Sequence, residues 1–178
     1  MSAEPADLPD AGLHGLDSES RAHGGHADHK AELRLWLRLL TCATMIEGEI
    51  RRRLRDRFDV TLPRFDLMAQ LERTPEGMTL GELSRRMMVS NGNVTGLVDR
   101  LVTEGVLQRR QSDTDRRAHY VSLTEAGRRA FAAMAAEHED WVADLFADLP
   151  PGEVETLMTL LGSAKRSVQR SIRNTVEP

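Results

Sequence analysis

Residues 80–127 read LGELSRRMMVSNGNVTGLVDRLVTEGVLQRRQSDTDRRAHYVSLTEAG, and this stretch decides the fold. Thr79 precedes it and Glu82 stands three residues on, the spacing of a reciprocal capping box that starts a helix over Leu80–Met88. Ser90 caps a second helix, which runs to about Glu104 and stops at Gly105. Val106–Gln111 and His119–Leu123 are short strands around a polar loop, Ser112–Ala118. Two short helices joined by Val89-Ser90 and followed at once by a two-stranded ribbon make a winged helix-turn-helix pattern.

The chemistry of the second helix suits DNA. A helix that enters the major groove presents short hydrogen-bonding side chains at its N-terminal end. Here that end reads Ser90-Asn91-Gly92-Asn93-Val94-Thr95-Gly96, and Val94, Leu97, Val98 and Leu101 supply the side it buries. Gly92 and Gly96 each cost about 1 kcal/mol of helix stability relative to alanine; close approach of the helix backbone to DNA explains their presence. The ribbon tip carries Arg116 and Arg117, the residue type that a narrow minor groove attracts. Alone, each feature is an ordinary capped helix or a solvated turn; their order makes the DNA reading the better one.

Outward from this centre the chain is helical. Trp36, Leu40, Ala43, Ile46, Ile50 and Leu54 recur every three or four residues, predicting a helix from Ala31 to about Arg57 that is more apolar than one surface face requires. Thr61 and Pro63 open a helix to about Arg73, carrying Phe65, Leu67, Met68 and Leu71. Thr124 caps a helix to about Leu149, and Val154 through Ile172 forms a last amphipathic one. Residues 1–30 read as a disordered acidic tail, with six acids against Arg21 and Lys30. That tail accounts for the net charge of −4, so the rest of the 178 residues is neutral. The expected fold class is mainly α with a small β-wing: a winged helix-turn-helix module (61–123) within one domain, 31–178, flanked by dimerisation helices at 31–57 and 124–173. No apolar run spans a bilayer, and the single cysteine, Cys42, precludes an internal disulfide. A cytoplasmic protein without membrane association is the expectation, with neither metal nor cofactor.

Residues 80–127 resemble the core of the MarR family of bacterial transcriptional regulators. Thr95, Val98-Asp99-Arg100-Leu101, Gly105-Val106, the Asp115-Arg116-Arg117 wing and Leu123-Thr124 carry the resemblance, which extends from about Leu33 to Ser171. Thr114 stands where the family's wing usually has proline. The resemblance implies a homodimer built by the first and last two helices, a palindromic operator in double-stranded DNA, and repression relieved by a small ligand. It implies DNA contacts from Ser90, Asn91, Asn93, Thr95, Arg100, Arg116 and Arg117. Family ligands bind where the dimer helices meet the winged module, a region that gathers Trp36, Leu40, Met45, Arg64, Phe65 and Met68; the plain alternative for each is core. The chain is similar to the branch linked with hydroxycinnamate and aromatic catabolism, which points to an aromatic acid or its CoA thioester as effector.

Other readings carry less. Cys42 as a redox sensor competes with Cys42 as a small buried hydrophobe, the reading its apolar neighbours favour. His23, His26 and His29 are spaced for one helix face but lie in a segment without helical pattern. Asp113 and Asp115 mimic a calcium loop that lacks its glycine and its final glutamate. A helical ligand-binding or protein-interaction module that does not bind DNA is the rival from another class. No catalytic motif occurs, so an enzyme is not expected.

Overall fold

Helix ends fall where capping chemistry puts them. The computed structural model describes residues 30–111 and 119–176. Its order is α1 (Lys30–Phe58), α2 (Leu62–Glu72), β1 (Met78–Thr79), α3 (Leu80–Met87), α4 (Asn91–Thr103), β2 (Leu107–Gln111), β3 (His119–Leu123), α5 (Glu125–Leu145) and α6 (Glu153–Val176). The Thr79–Glu82 capping box is complete: the Glu82 amide donates to the Thr79 hydroxyl, and the Thr79 amide donates to the Glu82 carboxylate at 2.8 Å. Ser90 and Thr124 cap α4 and α5 through their hydroxyls. Thr61 occupies the N-cap of α2 but its side chain makes no capping hydrogen bond, so Pro63, not a hydroxyl cap, shapes that first turn. The tail before Lys30 and the wing loop 112–118 lie outside the described residues.

The sheet differs from the expected ribbon. It has three antiparallel strands in the order β1-β3-β2, because Met78 and Thr79 pair with Val121 and Tyr120. Gly77, at φ 91°, makes this possible: a Cβ there would lie 2.7 Å from the Val121 carbonyl oxygen. The expected α5 is also shortened. It stops at Leu145, and Phe146, at φ −112°, leads into hydrogen-bonded turns toward Pro150.

One core unites the winged module. Leu67, Met68 and Leu71 of α2, Leu83 of α3, Val94, Val98 and Leu101 of α4, and Leu107, Val121 and Leu123 of the sheet are buried together. Ile50 and Leu54 at the C-terminal end of α1 and Met134 of α5 join them. Burying one such side chain is worth about 1.5–3 kcal/mol. Ile46 and Phe58 of α1 pack against this core partly buried, whereas the N-terminal part of α1 and the apolar face of α6 stay outside. Leu33, Leu35, Trp36, Leu40 and Met45 are exposed on α1, as are Leu157, Leu160, Leu161, Val168 and Ile172 on α6. Cys42 falls on this outer part of α1 and is exposed in the single chain, contrary to the buried position its neighbours suggested.

α5 is joined tightly to the module. The Thr124 hydroxyl donates to the Gly105 carbonyl at 2.7 Å, with the Val106 carbonyl at 3.1 Å, and accepts from the Gly127 amide. A Cβ on Gly127 would lie 2.1 Å from the Val106 carbonyl oxygen. Only glycine permits α5 to start this close to the end of α4 and the beginning of β2.

Candidate nucleic-acid interface

The helix-turn-helix is held by a buried serine. The Ser84 hydroxyl donates to the Val89 carbonyl at 2.6 Å, and the Val89 amide donates back to the Ser84 carbonyl at 3.2 Å. Between them Met88 closes α3 in the left-handed conformation, φ 55° and ψ 37°. This fixes the angle at which α4 leaves the turn.

α4 buries Val94, Val98 and Leu101. At 100° per residue, Gly92 and Gly96 form the ridge opposite, with Asn93 on one flank and Thr95 on the other. Among the described residues, nothing lies within 4 Å of a Cβ built on either glycine. Of the seven expected DNA-reading residues, Ser90, Asn91, Asn93 and Arg100 are exposed and Thr95 is half-buried. Two of them have part of their capacity engaged. Ser90 accepts the Asn93 amide, and the Thr95 hydroxyl donates to the Asn91 carbonyl at 2.8 Å, which leaves Thr95 to act as an acceptor. Arg116 and Arg117 lie outside the described residues.

Two recesses border the ridge. One, of about 430 Å³, lies on the Asn93 side between Pro63, Met87, Leu97 and Arg100. The other, of about 290 Å³, lies on the Thr95 side between Leu80, Asp99, Arg109 and His119. Asp99 and Arg109 form an ion pair that ties α4 to β2. Sequence reading missed Ser84 and Arg109, whose roles depend on neighbours outside their own helical or strand period. It also missed Arg85 and Arg86, exposed on the last turn of α3, although a basic last turn is visible in the sequence.

The six residues expected around an effector occupy different environments within one chain. Trp36, Leu40 and Met45 are exposed on α1, whereas Phe65 and Met68 belong to the core. Arg64 pairs with Glu104 at the end of α4, and its Nε is buried without a hydrogen-bond partner among the described residues. Phe65 stacks against Phe131 and His138 of α5, with centroids 5.5 and 4.9 Å apart. Burial lowers the His138 imidazole from its ordinary value, against the opposing pull of Asp66 and Glu139. Desolvation pushes the Asp66 carboxyl up, and the Glu47 carboxylate adds to this. Glu49, gripped by Arg52 and Arg53, is held down at about 2.

Comparison with known proteins gives this surface its context. The MarR family model matches residues 60–119, which span α2 to the start of β3. Transcriptional activatory protein BadR of Rhodopseudomonas palustris is 34% identical over 113 residues, a match spanning 61% of this chain and 64% of that protein. A MarR family transcriptional regulator from Silicibacter pomeroyi superposes with a TM-score of 0.66 at 30% identity, over 83% of this chain and 99% of that one. Sco3205 of Streptomyces coelicolor, a MarR family regulator solved in complex with DNA, shares the fold at 20% identity, with a TM-score of 0.68 over 84% of this chain and 93% of that one. Family members are transcriptional regulators and not enzymes. On the near-complete match to the Silicibacter regulator and the family pattern across its helix-turn-helix and sheet, the chain belongs to the MarR family of transcriptional regulators.

Proposed function

We propose that the chain acts as a homodimer that reads a palindromic DNA operator with α4 and the wing, and that a small aromatic acid or its CoA thioester releases it. The observation that carries this is the α4 surface: a polar N-terminal end around a glycine ridge, with no side chain to keep the helix from a groove. The dimer follows from the exposed apolar faces of α1 and α6, which a second copy would cover. Twofold symmetry then requires two inverted half-sites roughly 10 base pairs apart. Asn91, Asn93 and Thr95 meet base edges, Arg117 enters the minor groove at the wing tip, and Arg116 and Arg100 hold the backbone. Sco3205, which shares the fold and was solved in complex with DNA, supports DNA as the partner by analogy.

Repression is the expected output, because a dimer bound over a promoter excludes the polymerase. BadR, by its name an activatory protein, is the precedent for the opposite sign. A reporter fused to the operator separates the two, since deletion of the gene raises expression under repression and lowers it under activation. The primary test is selection of binding sites from random duplexes, followed by anisotropy titration of the recovered site and a scrambled one. An inverted repeat bound at least 10³-fold more tightly than scrambled DNA is expected. Equal affinity for both, or binding to neither, overturns the proposal and favours an interaction module without DNA.

A further inference from the structure

Met88 is the most exposed large apolar side chain of the described residues, at 93% relative exposure. Its backbone is in the left-handed region, φ 55°, where a Cβ is disfavoured and glycine is the usual choice. The fold therefore gains nothing from methionine here, neither burial nor backbone conformation. Its place explains the choice. Met88 stands two residues before the Ser90 cap, on the turn that delivers α4, and Val89 beside it is 39% exposed. Arg85 and Arg86 lie exposed on the preceding turn. The Ser84–Val89 hydrogen bonds hold this turn in one conformation, so the side chain projects from a fixed base.

In a duplex major groove the apolar target offered to such a side chain is the C5-methyl group of thymine; phosphates and other base edges select hydrogen-bonding groups. We propose that Met88, with Val89 beside it, is a specificity residue that packs on a thymine methyl at the edge of each half-site. The inference rests on the DNA-binding reading above and deepens it. It adds a contact made by the turn, outside α4 and the wing.

The test uses the full chain and the operator duplex recovered by selection, with each thymine replaced in turn by uracil, which removes only the methyl group. Wild type should lose about fourfold in affinity at one symmetry-related pair of positions, the ratio for losing one buried methyl group per contact. Met88→Gly should bind the thymine operator more weakly and be indifferent to uracil at that pair. Met88→Leu should restore the preference. Because Met88→Gly relieves the left-handed backbone, its melting temperature should equal or exceed that of wild type, which separates lost contact from lost fold. The proposal is overturned if Met88→Gly binds the thymine operator as well as wild type does, or if uracil costs both proteins the same at every position. Failure of wild type to bind any selected duplex overturns the DNA-binding reading itself, and this one with it.

Discussion

Replacing Gly92 and Gly96 by alanine should move stability and function in opposite directions. Both glycines sit within α4, and a Cβ on either meets nothing within 4 Å among the described residues, which leaves room for both methyl groups. Alanine is favoured over glycine in a helix interior by about 0.8–1 kcal/mol. Gly96 gains that full amount and Gly92, in the first turn, less, so the double variant gains about 1–2 kcal/mol, which for a chain of this length raises the melting temperature by about 2–8 °C. On DNA the same methyl groups stand on the ridge where the helix backbone approaches the groove. Forcing a methyl into a close-packed contact costs about 1–3 kcal/mol, so each single variant should lose between about 5-fold and 150-fold in operator affinity. Calorimetric melting and anisotropy titration on the selected operator measure the two halves. A double variant that melts higher and binds the operator as tightly as wild type would refute the argument that the glycines serve DNA approach. No gain in melting temperature would show that the ridge is less open than its geometry indicates.

Four further outcomes are expected. Asn93→Ala should cost about 1–3 kcal/mol on the operator and little on random DNA, whereas Arg116→Ala should weaken both and lower the salt slope by about one unit; proportional losses in titrations across salt concentrations would dissolve this division. Gly127→Ala must push the Val106 carbonyl aside, and with backbone on both sides of the clash it should destabilise by about 3 kcal/mol and lower the melting temperature by about 6–12 °C. Leu157→Glu together with Leu161→Glu, on the exposed apolar face of α6, should convert the dimer to a monomer in sedimentation velocity at micromolar concentration. His138, whose pKa is depressed by burial, binds its proton more readily in the unfolded chain. Stability should therefore hold above pH about 6.5 and fall as the pH drops below it, and His138→Gln should flatten that slope in pH-dependent urea melts.

What was legible in the sequence is what depends on neighbours three or four residues away. The Thr79–Glu82 box, the Ser90 and Thr124 caps and the stop at Gly105 are local chemistry, and each lies where its spacing placed it. The polar start of α4 was legible for the same reason. β1 was not, because two residues carry no alternation and their strand character comes wholly from Val121 and Tyr120 across the sheet. The turn lock was hidden because Ser84 reads as a polar residue inside an amphipathic helix until Val89 folds back onto it. The burial of Cys42 and of the residues expected around an effector was hidden for a third reason. Apolar spacing shows that a face must be covered, but not by which chain. Phe65 and Met68 are covered by their own module, while Cys42, Trp36, Leu40 and Met45 are left uncovered by it.

The seam at Thr124 and Gly127 sets how finely a ligand can control this protein. With one hydroxyl and one missing methyl group clamping α5 to the end of α4 and the start of β2, the winged module cannot lag behind the helix that carries it. α5 is thus a lever without backlash, about 32 Å long for its 21 residues. Over that length a swing of about 6° displaces the far end by one base-pair rise, about 3.4 Å. In the dimer proposed above, a ligand that shifts the dimer helices by a few degrees would thus put α4 out of register with its proposed half-site while leaving every contact inside the module intact. Loosening the seam would uncouple the two, giving a protein that still holds DNA and still takes its ligand but no longer lets one dislodge the other.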